Sequence, residues 1–298
     1  MMMNTMIHSH PETAASAGQQ VRVHCIRTGS VRIRANQVRG KGRGFLRQLR
    51  TYTGVAWSEW LPIHAWVIDH PEGIIVVDTG ETSRISEPGY FPRWHPYFRR
   101  GVEEQVNRAD EIGWQLRHHG FDPDLVSRVV LTHLHTDHAG GLHDFPNSEI
   151  LIGAKEYAMA TGPLGQVRGY LPQRFPSWLK PTLMGFHDAP VGPFPQSLAL
   201  TEAGDVVAVP TPGHTPGHVS VIVRTPGITW FLGGDASYTE EMMLNEKVDG
   251  VASNDDAARE TLRRIREFAA QEPLVYLPTH DPASQIRLEH QQIVARHG

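Results

Sequence analysis

The chain has 298 residues, of which 40% are hydrophobic and 20% charged, a balance that suits a folded globular catalyst. Its net charge of −4 at pH 7 argues against a general nucleic-acid binder, because such proteins carry a clear basic excess. The single cysteine, Cys25, has no partner for an internal disulfide and sits in an apolar run, where a packed strand residue is expected rather than a nucleophile.

Residues 1–20 have neither the basic start nor the apolar stretch of a signal peptide, so a tail and a cytoplasmic location are the default expectations. No later window reaches about 18 consecutive apolar residues, so no membrane contact is expected. Residues 21–298 read as one domain. Hydrophobic periodicity predicts strands over 21–28, 65–69, 74–78, 129–131 and 149–152 in a first half, with a helix over 103–119. A second half holds strands over 205–209, 219–224, 228–232 and 274–277. Its helix spans 255–272, with Ser253 and Asn254 as capping candidates. This alternation of strands and helices makes an α/β protein with two sheets and outer helices.

Three stretches stand apart from these elements. Residues 39–60 are locally basic, with no acid between Thr13 and Ser58, and read as a solvated flexible loop, the sharper alternative being contact with an anionic partner. Residues 90–98 are densely aromatic and offer an apolar wall for a ligand. Residues 162–194 carry many prolines and read as a lid whose Leu171, Phe175, Trp178 and Met184 would face a hydrophobic tail.

The chemistry concentrates at four strand ends. Directly after Val129-Val130-Leu131 comes Thr132-His133-Leu134-His135-Thr136-Asp137-His138, an H-x-H-x-D-H cluster. For a chain with 18 histidines, chance yields such a match on the order of 3 times in 1,000, so the cluster calls for a function. Three more donors follow apolar runs: His214 in a proline- and glycine-rich turn, Asp235 after Gly233-Gly234, and His280 after Pro278-Thr279. Neutral imidazoles and carboxylates are ligands for borderline dications. Seven of them match two ions about 3.5–4 Å apart, bridged by one carboxylate and a water-derived hydroxide.

These motifs, together with the Asp78-Thr79-Gly80 turn, resemble those of the metallo-β-lactamase superfamily across roughly residues 20 to 285. Three further pieces resemble the N-acyl homoserine lactonases within it: the stretch from Thr211 to His218, the run Asp235-Ala236-Ser237-Tyr238-Thr239, and Thr279-His280-Asp281. The resemblance implies a four-layer αββα sandwich. It also implies that His133, His135 and His214 hold a first metal, that Asp137, His138 and His280 hold a second, and that Asp235 bridges them. Tyr238 would reach toward the substrate carbonyl or ring oxygen, and Asp78 would brace a ligand histidine. The ions expected are zinc, with iron, manganese and cobalt tolerated by the same donors.

The implied reaction is the opening of an N-acyl homoserine lactone ring, with Tyr238 and Asp137 as catalytic groups: a hydroxyl for the oxyanion and a proton carrier for the departing oxygen. Competing readings are another small lactone or a glutathione thioester on the same metals, and nuclease or nucleic-acid binding through the basic segment. The partner expected is a small lactone with an acyl chain, and a homodimer is compatible with the sequence. His118, His119 and His143 are expected at the surface. His218 is expected either to support a ligand or to serve packing.

Overall fold

The computed structural model describes residues 20–295, so the tail expected over 1–20 lies, but for Gln20, outside the described residues. Strands β1 (Arg22–Ile33), β2 (Leu61–Asp69), β3 (Ile74–Val77), β4 (Val102–Gln105), β5 (Val126–Leu131), β6 (Glu149–Gly153) and β7 (Thr182–Met184) form one mixed sheet. Its order is β4-β1-β2-β3-β5-β6-β7. Strands β8 (Leu198–Ala199), β9 (Val206–Pro210), β10 (Val219–Thr225), β11 (Ile228–Gly234) and β12 (Leu274–Pro278) form a second sheet in the order β12-β11-β10-β9-β8.

Burial follows from the composition of these strands. β2 reads LPIHAWVID and is buried along nearly its whole length, as a strand covered on both faces must be. One face of each sheet meets the other: Trp66, Val77 and Val130 pack with Val221, Leu232 and Leu277. On the outer face of the first sheet, helices Ile112–His118 and Ala154–Thr161 contribute Ile112, Leu116 and Ala160. Helix Asp255–Gln271 covers the second sheet with Leu262, Ile265 and Phe268. Helix, sheet, sheet, helix is the four-layer αββα sandwich.

The long helix starts where its cap dictates. Asn254 Oδ1 accepts from the backbone amides of Asp256 and Ala257 at 3.0 and 2.9 Å, while Asp255 and Asp256 place negative charge in the first turn. Ser253 is not the cap; its hydroxyl donates to the Gly213 carbonyl instead.

Three expectations are corrected. Residues 103–119 are not one helix: Glu103–Gln105 belong to β4, which pairs with Ser30–Ile33 on the sheet edge, and only Ile112–His118 is α-helical. Edge pairing overrides helical propensity there, and Asn107 and Asp110 cap each other to start a separate turn. Residues 39–60 are not a loop throughout, because Gly44–Thr53 is a helix and Arg47 is buried. Residues 162–194 are not an apolar lid. Met184 packs into one core, Phe175 and Trp178 pack against the other, Leu171 is buried, and Thr182–Met184 is the edge strand beside β6.

Truncating the covering helix tests this layering. Ile265→Ala should cost about 2–5 kcal/mol, the range for a buried aliphatic cut to alanine, read as a lower urea midpoint with unchanged slope. A loss under about 0.5 kcal/mol would mean that the helix does not close the core.

Candidate metal centre

Strand direction brings the donors to one edge. β3 is parallel to β5 and β11 to β12, while β9 reaches the direction of β11 through antiparallel β10. Their carboxyl ends carry Asp78, the His133–His138 cluster, His214, Asp235 and His280. The sheets are tied at this edge, with the Val219 amide donating to Thr132 O at 2.9 Å and the His64 amide to Thr279 O at 3.3 Å. Gly234 is required immediately before Asp235. Its φ is +54°, and a Cβ there would sit 2.8 Å from both His218 Nε2 and Thr132 Oγ1.

The seven side chains singled out from the sequence converge in two groups that share Asp235. In the first, His135 Nδ1 lies 3.0 Å from His133 Nε2 and 3.1 Å from His214 Nε2. In the second, His280 Nε2 is 3.3 Å from Asp137 Oδ2, and His138 Nε2 is 3.9 Å from Asp137 Oδ1. Asp235 faces both: Oδ1 lies 3.3 Å from His138 Nε2 and 3.5 Å from His280 Nε2, whereas Oδ2 lies 3.7 Å from His214 Nε2.

The rings of His138, His280 and His214 are each aimed by a contact on the other nitrogen. Asp78 Oδ2 accepts from His138 Nδ1 at 2.7 Å while its two oxygens also take the Thr132 amide and hydroxyl, both at 2.8 Å. Asp78 therefore braces His138. It does so from φ +60°, a strained setting for a residue with a side chain, held by those three bonds. His280 Nδ1 donates to Pro62 O at 2.9 Å, and His214 Nδ1 lies 3.5 Å from Asp249 Oδ2.

Electrostatics divide the groups. Burial, reinforced by neighbouring rings, pushes His133 well below the usual imidazole range and His135 down to about 3, so both are neutral. Burial opposes charge on His138 and His280 as well, but the surrounding carboxylates outweigh it. Asp235, Asp78 and Asp137 hold His138 well above its usual value, and Asp235 and Asp137 hold His280 at about 10. Conversely, His138 and His280 draw Asp137 down to about 2 against its burial.

The residues fit two cations. A ring nitrogen carries one proton or one lone pair, so three of them meeting within about 3 Å cannot all satisfy one another, whereas a dication accepts every lone pair. His138 Nε2 and Asp235 Oδ1 are closed to solvent and hydrogen-bonded to nothing among the described residues. Three overlapping donor sets result: His133, His135 and His214; His133, His138 and Asp235; and Asp137, His138 and His280.

Beside these donors lies a cavity of about 670 Å³, whose wall includes Asp137, Asp235, His280 and Tyr238. The Tyr238 ring is buried 5.7 Å from the His280 ring, and its hydroxyl oxygen accepts from Gln37 Nε2 at 3.1 Å. Of the aromatic stretch 90–98, His95, Tyr97 and Phe98 reach the cavity, as does the segment 167–170.

His118, His119 and His143 are exposed and away from the cluster. His218 is buried and serves Asp235. Burial lowers its pKa to about 3, its Nε2 accepts the Asp235 amide at 3.1 Å, and its Nδ1 bonds Thr211 Oγ1 at 2.9 Å.

Four supporting residues were not read from the sequence. Glu156 ties two ligand loops together, accepting from the Leu134 amide at 3.1 Å and the Thr215 hydroxyl at 2.7 Å. Asp249 stands behind His214, and Arg47 grips its loop by donating to Asp249 O and Ala252 O at 2.5 and 2.7 Å. Gln37 holds Tyr238. A glutamate at a helix start and an arginine in a basic run give no local signal for such long-range roles.

The family model of the metallo-beta-lactamase superfamily matches residues 58–280. An N-acyl homoserine lactonase from Bacillus sp is 30% identical over 230 residues, covering 74% of this chain and 82% of that protein. The N-acyl homoserine lactonase AttM of Rhizobium radiobacter is 30% identical over 228 residues, with the same coverage. Among solved structures, an N-acyl homoserine lactone hydrolase with the product N-hexanoyl-L-homoserine at its catalytic metal center superposes with a TM-score of 0.72 at 24% identity, covering 93% of this chain and 98% of that one. Motifs, fold and relatives agree: the chain belongs to the metallo-beta-lactamase superfamily.

Proposed function

We propose that this protein is a metal-dependent hydrolase that opens the lactone ring of N-acyl homoserine lactones, with His133, His135, His138, His214 and His280 and the carboxylates of Asp137 and Asp235 holding two divalent ions, zinc in the first place. The observation that carries this reading is Tyr238: a phenol on the cavity wall beside the Asp137, His138 and His280 group. The N-acyl homoserine lactonases that match most of the chain support it. When bound, the two ions would supply Lewis acidity, polarising an ester carbonyl and acidifying water shared between them.

The chain's own residues supply the rest. Gln37 donates to the Tyr238 oxygen, leaving the phenol proton free to turn into the cavity. Burial first, then Asp235 and Asp249, push the Tyr238 pKa well above the usual phenol value, so it remains a donor at working pH. A donor so placed can stabilise the oxyanion that forms when the lactone carbonyl is attacked. Asp137 lines the cavity with an oxygen 3.3 Å from His280 Nε2, and carries the proton from the attacking water to the departing alkoxide. The product is an open hydroxy acid.

Metals replace protons in this assembly. Without ions, His280 keeps its proton up to about pH 10, and His138 is likewise held charged by its carboxylates. Ligation requires both rings to be neutral, so loading must expel those protons. Adding zinc to metal-free protein at neutral pH should therefore acidify a weakly buffered solution, and apparent affinity should rise with pH toward about 10. Uptake without proton release would remove the assignment of these two rings.

Activity is tested by following acid release across acyl homoserine lactones, simple lactones and thioesters, with His135→Ala as control. Lactone turnover that vanishes in the control is expected. Preference for thioesters would overturn the proposed substrate class. Tyr238→Phe should lower kcat/KM by roughly 10²–10³, the usual effect of losing one oxyanion donor, with metal content unchanged. Full activity in that variant would strip Tyr238 of its role.

A further inference from the structure

The cavity wall contains a carboxyl that the proposed chemistry does not use. Glu104 lies on β4 opposite Val31 of β1, and both residues line the cavity. Its Oε2 is closed to solvent, and no hydrogen bond or ion pair reaches the carboxyl among the described residues. Glu81, by contrast, does not line the cavity, and its Oε1 is held by the Thr82 amide at 2.8 Å and the Tyr90 hydroxyl at 3.1 Å. A carboxyl on the cavity wall that no protein donor satisfies invites a hydrogen-bond donor from a ligand at its open oxygen.

The kind of donor follows from the charges nearby. Burial, then Glu81 and Asp137, raise the Glu104 pKa well above the usual carboxylate range, which disfavours the anion that a ligand ammonium would require. A neutral N–H suits it better, since either protonation state of a carboxyl keeps an accepting oxygen. Glu104 shares the cavity with Asp137, Asp235 and His280, and the one N–H that an N-acyl homoserine lactone brings into it is the amide beside the ring.

Building on the lactonase reading, we propose that Glu104 forms a polar subsite that accepts a hydrogen bond from the amide N–H beside the lactone ring, so that this cavity selects amide-bearing lactones over plain alkyl lactones. Glu104 is a specificity residue in this scheme and takes no part in ring opening.

The test compares two substrates of matched chain length, an N-acyl homoserine lactone and a γ-alkyl lactone lacking the amide, with wild-type protein, Glu104→Gln and Glu104→Leu. Glu104→Gln retains an accepting oxygen and should stay within about threefold of wild type on both. Glu104→Leu should lose about 10- to 100-fold in kcat/KM on the amide substrate and less than threefold on the alkyl lactone, with zinc content and melting temperature unchanged. Equal effects on both substrates, or none on either, would overturn the subsite. Absence of lactone turnover by the wild-type protein would instead overturn the function on which it rests.

Discussion

Five imidazoles and two carboxylates, largely shut off from water within a few ångströms of one another, can coexist only if positive charge is shared among them. In the protein alone, that charge comes from protons on His138 and His280, which offset Asp78, Asp137 and Asp235. The first group is balanced only at His214, which Asp249 and Asp235 hold above its usual value against burial, while His133 and His135 are neutral and their nitrogens crowd together. Isolated buried charge costs several kcal/mol per ion, so a cluster of this kind must be held by forces from outside itself. Two cations would relieve both halves at once, replacing protons in one and joining lone pairs in the other.

The holding forces come from strand ends. The converging side chains follow closely on strand ends, and a contact on the far ring nitrogen holds His138, His214 and His280. Asp78 shows how tightly this is done. It adopts a positive φ immediately after β3, a cost on the order of 1–3 kcal/mol, and recovers it through bonds to Thr132 and His138. Gly234 does the corresponding work before Asp235, where a side chain would strike His218 and Thr132. Strain at these positions keeps the donors converged when no ion is there to gather them.

How much of this was legible in sequence depended on whether the signal was local. The seven donors were readable because strand-end spacing is local, and the apolar runs before them mark the strands whatever their partners. The layered fold was readable for the same reason. Residues 103–119 were misread because a short edge strand is defined by its partner β1 rather than by its own periodicity. Leu171, Phe175, Trp178 and Met184 were misplaced because a proline-rich segment conceals which apolar residues turn inward. Glu156, Asp249, Arg47 and Gln37 act across tens to hundreds of residues, and nothing in their immediate neighbours encodes the partner. Sequence shows which groups can do chemistry; the contacts that aim them are a property of the packed chain.

The basic segment illustrates why those contacts matter. Arg47 is buried and donates to the carbonyls of Asp249 and Ala252, and its guanidinium pairs with Asp255 at 2.7 Å, so its charge is spent inside the protein. Just before that segment, Gln37 stands against Tyr238 and, at 3.1 Å, the Tyr97 hydroxyl. One stretch near the amino terminus thus supports the Asp249 loop behind His214 on one side and the cavity phenols on the other. The metal donors stand on sheet ends, whereas Gln37, His95, Tyr97 and Glu104 come from short elements packed around them. Substrate choice can therefore be altered in that surrounding wall while the donor geometry, fixed by the sheets and their braces, stays in place.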